Sequence, residues 1–254
     1  MSLVAHYRLD ESSGTLIRDS IGNNNGTWAG TGAQAITIAD SPLSSAIVFD
    51  GGTPGNDVIT VGADPSIDIN GKTVLSISAW INPASDGENN LGRIVNKLAG
   101  TVGYVAYVQN EAGGFVELYC TITHDGVANA TAITNPIAPI NTWSHLSFVY
   151  NEDSAKKIKI YLNSSLVTLD TNTAGVGAVD DDSAIDLTIG NTAALTRTFD
   201  GSIANIMIFD HALTPFEVER LYNGGVGTDI ASDMDNKIRP RRLETANMPS
   251  RIRY

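Results

Sequence analysis

The chain has 254 residues, 42% of them hydrophobic and 17% charged, enough to bury one sizeable core, and its 24 glycines suit many tight turns. Net charge is −12, unevenly spread: residues 236–254 hold six Lys/Arg against Glu244, leaving −17 on residues 1–235, which excludes the body as a nucleic-acid surface. One cysteine, Cys120, excludes an internal disulfide, no apolar run is long enough to span a membrane, and the start at Met1-Ser2-Leu3 reads as a strand without a signal peptide.

The pattern predicts a first strand over residues 2–9, then a polar Gly/Asn-rich loop over 10–28 around Leu16-Ile17. Short strands follow at 36–38, 46–49 and 57–61, and a longer one at 74–82, where Leu75, Ile77, Ala79 and Ile81 alternate with Ser76, Ser78 and Trp80. After a polar loop at 86–90, residues 93–97, 104–109 and 115–124 read as a meander joined by glycine turns. Residues 128–139 read as edge strand and loop. Residues 143–151 and 156–169 form a hairpin with Glu152 and Asp153 at its turn. Asp180-Asp181-Asp182 reads as a solvated turn, 185–190 as a strand, and 199–209 as a buried strand opened by the turn at Asp200-Gly201. Thr214 is placed to cap a helix with Pro215 first and Glu217 third, Phe216, Val218, Leu221 and Tyr222 as its apolar stripe, and Gly224-Gly225 as its end. Many short strands and one helix predict an all-β sandwich over residues 1–228, with an extended basic arm over 229–254.

The turns Phe49-Asp50-Gly51 and Phe199-Asp200-Gly201, with Val4 to Asp10, Leu75 to Pro83, Trp143 to Tyr150 and Lys157 to Asn163 in that order, resemble the laminin G-like domains of the concanavalin A-like lectin/glucanase superfamily. The resemblance implies a jelly roll with its first and last strands adjacent. It also implies one structural calcium between an early loop and the late F-D-G turn: the side chains of Asp19 and Asp200, with a main-chain oxygen near Asn24. Asp50 and Asp57 are further acidic candidates. The family includes glycan binders, adhesins, virion proteins and passive modules, so it implies a fold rather than one activity.

The residues argue against catalysis. Glycosidase chemistry needs two carboxyl groups facing one bond, and no E-x-D-x-E strand is present; Glu217 and Glu219 fall on a helix, where their spacing splays them. The four histidines are far apart in sequence, and neither G-x-S-x-G nor a zinc spacing occurs. A sugar face would use aromatic side chains with amide and charged partners: Trp80, Tyr104, Tyr107 and Tyr119 on strands, with Asn89, Asn90 and Arg93, beside Asn96, at loops and strand ends. Trp28 and Trp143 are assigned to the core. In the arm, Lys237, Arg239, Arg241, Arg242, Arg251 and Arg253 suit docking on an acidic protein surface, most simply a neighbouring copy. The expected role is a non-catalytic structural or decorating subunit of a surface assembly, such as a phage or virus particle, made in the cytosol and presenting a lectin-like face. The alternative is a carbohydrate-binding module or adhesin of a cell surface, with a hydrolase third.

Overall fold

The computed structural model describes residues 2–30, 43, 45–52 and 56–227. The strand expected at 36–38 and the basic arm lie outside the described residues. In chain order the strands are β1 (Leu3–Tyr7), β2 (Leu16–Ile17), β3 (Gly26–Ala29), β4 (Ile47–Phe49), β5 (Val58–Val61) and β6 (Val74–Pro83). Then come β7 (Leu91–Ala99), β8 (Val102–Ala112), β9 (Phe115–Ile122), β10 (Ala130–Thr134), β11 (Ala138–Pro139) and β12 (Ser144–Asn151). The last are β13 (Lys157–Leu162), β14 (Ser165–Leu166), β15 (Leu169–Thr173), β16 (Leu187–Ile189) and β17 (Gly201–Phe209), followed by helix α1 (Pro215–Tyr222).

They form two facing sheets. One has the order β1-β17-β6-β12-β13-β14 with β4 also on β17; the other runs β15-β10-β9-β8-β7-β16-β5-β3-β2 with β11 on β9. The first strand pairs antiparallel with the last, as the resemblance implies. Period-two alternation turns one face of each sheet inward. Ile77, Ala79 and Ile81 of β6 thus meet Tyr104, Ala106 and Val108 of β8 and Leu118 and Cys120 of β9 in one core.

Two bulges change which side chains face in. Between Arg93 and Val95 the β7–β8 register slips by one residue. Arg93 therefore faces outward opposite Tyr107, while Lys97, four residues on, faces inward opposite Tyr104. In β17 the shift between Ala204 and Met207 is absorbed at Asn205, in the left-handed region at φ 52°. The two F-D-G turns lie side by side, Gly201 pairing with Phe49. Gly201 has φ +129° and a Cβ there would lie 2.2 Å from the Asn82 carbonyl, so the turn accepts only glycine.

Helix α1 covers the outer face of the seven-stranded sheet. Thr214 Oγ1 accepts the Glu217 N–H at 3.3 Å and Glu217 Oε2 accepts the Thr214 N–H at 2.7 Å, a complete capping box. Val218 and Leu221 pack on Val149, Tyr161, Met207 and Phe209. Phe216, expected on that stripe, is instead 66% exposed. Asn223, at φ 47°, takes the left-handed cap position expected of a glycine.

Candidate functional site

The outer face of the ten-stranded sheet carries a row of side chains across three adjacent strands. Arg93, Tyr107 and Tyr119 stand opposite one another on β7, β8 and β9, in the register Arg93–Tyr107–Tyr119. The Arg93 guanidinium lies 4.2 Å from the centroid of the Tyr107 ring. The other face of Tyr107 stacks on Tyr119, centroids 4.3 Å apart and planes 21° apart. The row therefore presents ring edges, hydroxyls and guanidinium nitrogens rather than a flat aromatic platform. Burial, then the neighbouring Tyr119, push the Tyr107 phenol well above its ordinary range, so it stays protonated and can donate a hydrogen bond.

Two residues along, on the same face, Gln109 and Glu117 stand opposite each other. Glu117 Oε2 accepts from Gln109 Nε2 at 2.8 Å and from Asn110 Nδ2 at 2.9 Å. A 3-10 turn, Glu88–Asn90, leads into β7 and closes that end of the sheet. Asn89 and Asn90 are exposed there, both in the left-handed region at φ 55° and 59°, a conformation asparagine tolerates. Asn89 Nδ2 donates to the Thr196 carbonyl at 3.2 Å and the Arg93 N–H to the Arg197 carbonyl at 3.0 Å, which fix the 192–198 loop beside the row. Buried Glu88 anchors the same loop, its Oε2 accepting from the Thr198 N–H and hydroxyl, each at 3.1 Å.

Asn89, Asn90, Arg93, Tyr107 and Tyr119 thus converge, but two expected partners do not join them. Tyr104 points into the core, wholly buried, and its hydroxyl donates to the Ile67 carbonyl at 2.9 Å. Trp80 belongs to the other sheet, buried beneath Tyr222. The reason is parity for Tyr104, three residues before Tyr107 on one strand, and sheet membership for Trp80. Gln109, Glu117 and Arg197 were not singled out from the sequence. Gln109 and Glu117 alternate outward with Tyr107 and Tyr119 and were legible by period; loop residue Arg197 had no such signal.

The expected calcium ligands are also separated. Asp19 stands opposite Tyr7, whose strand partner on β17 is Ile206. Asp200 precedes Gly201, at the far end of β17. That spacing is on the order of 15 Å of strand, against about 2.5 Å for a calcium–oxygen bond, so one ion does not bridge the two carboxylates. Asp19 is instead a loop clasp: Oδ1 accepts the N–H groups of His6 at 2.9 Å and Ile21 at 3.2 Å, and Oδ2 that of Asn24 at 3.3 Å. The Asn24 carbonyl accepts from the Tyr7 hydroxyl at 2.8 Å, and Asn24 Nδ2 donates to the Ser66 hydroxyl at 2.9 Å. Asp200 Oδ2 accepts from the Ser85 hydroxyl at 2.6 Å. Asp57 accepts the Asp50 N–H at 2.7 Å. Among the described residues no group of three or more His, Cys, Asp and Glu is placed to hold a metal.

The fold has many solved counterparts at low identity. The binding domain of Paraclostridial Mosquitocidal Protein 1 superposes with TM-score 0.63 at 20% identity, covering 87% of this chain and 52% of that one. Domain 4 of AbnA, a GH43 extracellular arabinanase from Geobacillus stearothermophilus in complex with arabinotriose, gives 0.58 at 21% identity, covering 85% and 96%. The binding domain of Botulinum neurotoxin DC in complex with rat synaptotagmin II gives 0.62 at 15% identity, covering 88% and 51%. The chain spans about half the length of these toxin binding domains, and the likeness is one of fold alone. No curated protein matches the chain. Residues 50–219, more than half of the chain, match the Laminin_G_3 model, and the chain belongs to that family of the concanavalin A-like lectin/glucanases superfamily.

Proposed function

We propose that this chain is a non-catalytic recognition domain that binds a glycan along the Arg93–Tyr107–Tyr119 row. The observation that carries the reading is the row itself: a guanidinium and two phenols in register across three strands, flanked by the Gln109–Glu117 pair and by Asn89 and Asn90. Guanidinium, amide, carboxylate and phenol groups together offer both donors and acceptors, which is what sugar hydroxyls require. That arabinotriose is found with AbnA domain 4, a similar sandwich, supports a saccharide as the ligand class. The non-catalytic part rests on the chemistry of the row. A guanidinium and a phenol held protonated are poor proton shuttles at neutral pH, and the neighbouring carboxylate, Glu117, is engaged by two amides.

Within the same proposal, the basic arm carries this domain on a surface assembly, such as a virus particle, by docking on an acidic partner. The support is its charge contrast with the body. Removing 229–254 is expected to reduce assembly size in light scattering, and an unchanged size would refute that part.

A glycan array, followed by titration calorimetry of its hits, tests the central reading. Tyr119→Ala and Tyr107→Ala are expected to weaken binding by about tenfold or more with the fold retained by circular dichroism. Wild-type binding that neither substitution changes would place the ligand elsewhere, and sugar release above blank would overturn the non-catalytic assignment.

A further inference from the structure

We infer that the saccharide taken by this face carries a carboxylate, received by the guanidinium groups of Arg93 and Arg197, neighbours through one backbone hydrogen bond. The inference rests on the glycan reading above and narrows it to acidic sugars.

Arg93 is nine-tenths buried, and among the described residues neither it nor Arg197 forms an ion pair. Its buried Nε has no hydrogen-bond partner, and Nη1 reaches only the Leu91 carbonyl, at 3.4 Å. Arg197 commits Nη1 to the Thr196 carbonyl at 2.9 Å. The backbone bond from Arg93 to Arg197 holds the two residues together. Burial, and to a smaller degree the like positive charge of Arg197, depress the Arg93 pKa, and Tyr107 offsets part of the burial effect. The carboxylate that anchors the 192–198 loop, Glu88, is engaged elsewhere: its Oε2 accepts from the Thr198 N–H and hydroxyl.

Two like charges on neighbouring residues, one of them nine-tenths buried, are unfavourable in the free protein unless an anion completes them. Lys97, by contrast, meets its carboxylates inside the fold. A planar carboxylate matches the guanidinium fork, and a sugar ring attached to it would extend along the row toward Tyr119 and Glu117. The overall charge decides the kind of anion. Residues 1–235 carry −17, which repels a polyanion at long range, whereas a single carboxylate gains from the short-range fork.

The test is a set of matched oligosaccharides that differ only at one C6: neutral hexose trimers beside the same trimers ending in a single hexuronic acid, with a sulfated polysaccharide and a glutamate-rich peptide alongside. Titration calorimetry is expected to show the uronic-acid form binding about tenfold or more tighter than its neutral twin, the factor one charge-assisted hydrogen bond contributes. Arg197→Gln and Arg93→Gln should each shrink that ratio, with thermal unfolding confirming the fold, and Arg93→Lys should recover only part of it. Equal binding of the two trimers leaves the glycan reading standing and overturns this one. Preference for the sulfated polymer or the peptide overturns it as well. Binding of no saccharide overturns both.

Discussion

Tyr222, the last residue of α1, stacks on Trp80 of β6 with ring centroids 5.8 Å apart and planes 23° apart. The His145 ring lies 5.1 Å from Trp80 and 6.1 Å from Tyr222, so three rings close the seam between the helix and the seven-stranded sheet. Trp80 is therefore a packing residue of the face opposite the Arg93–Tyr107–Tyr119 row. Trp80→Ala is expected to lower stability by about 3–5 kcal/mol, the usual range for emptying a buried aromatic site. Urea unfolding measures that loss. Glycan binding by the folded fraction should match wild type, and a selective loss of binding would return Trp80 to the ligand face.

His145 gives the seam a pH dependence. Its Nε2 lies 2.8 Å from the Ser78 hydroxyl, its Nδ1 is buried without a partner, and burial pushes its pKa from 6.5 down to about 3. The unfolded imidazole takes up a proton near pH 6.5 while the folded one remains neutral. The stability this group contributes is thus whole above pH 6.5 and is lost as pH falls toward about 3, at about 1.4 kcal/mol per pH unit in that window. Chemical denaturation at pH 7, 6, 5 and 4 should give a steeper decline for wild type than for His145→Phe. Parallel profiles would mean that the histidine is not held neutral.

The sequence made the sandwich readable because period-two runs on β6, β12 and β13 and the repeated F-D-G turns do not depend on distant partners. The capping box at Thr214 and Glu217 was equally local. Which aromatic side chains would share a face was only half legible. Parity along β8 separates Tyr104 from Tyr107, but assigning Trp80 to another sheet needs the strand order, which no local pattern encodes. Asp182 was read with its neighbours as a solvated turn, yet it is fully buried. Its partner, Lys97, faces inward only because of the bulge after Arg93, a one-residue slip that the β7 sequence does not announce. Asp19 and Asp200 were joined by analogy of motif, and strand length keeps them apart.

Asp19 should behave as a clasp rather than a metal ligand. Replacing its carboxylate leaves the N–H groups of His6, Ile21 and Asn24 without their acceptor. Asp19→Ala is expected to cost about 2–3 kcal/mol, a range set by hydrogen bonds to a charged group. Thermal melts with calcium and with a chelator should show the same loss. A difference between wild type and variant that appears only with calcium present would make Asp19 a ligand after all.

The internal ion cluster of Lys97 supports the sheet end from within. Its Nζ lies 2.9 Å from Asp68 Oδ1 and 3.6 Å from Asp182 Oδ2, and it donates to the carbonyls of Asp182 at 2.7 Å and Ile185 at 2.5 Å. Asp182 in turn accepts the N–H groups of Ile69 and Asn70, each at 3.0 Å. One lysine on β7 thereby fastens the loops on either side, 64–70 and 180–186, to the ten-stranded sheet. Lys97→Met keeps the length and removes the charge, leaving two buried carboxylates uncompensated. The expected loss is about 3–5 kcal/mol, typical of breaking a buried ion pair from one side. Lys97→Met with Asp68→Leu should recover part of that loss, since one of the stranded charges goes with its partner. Non-additivity in a double-mutant cycle, read by urea unfolding, is the measure. Strict additivity would show that Lys97 and Asp68 act independently and that the loops are held by their backbone contacts alone.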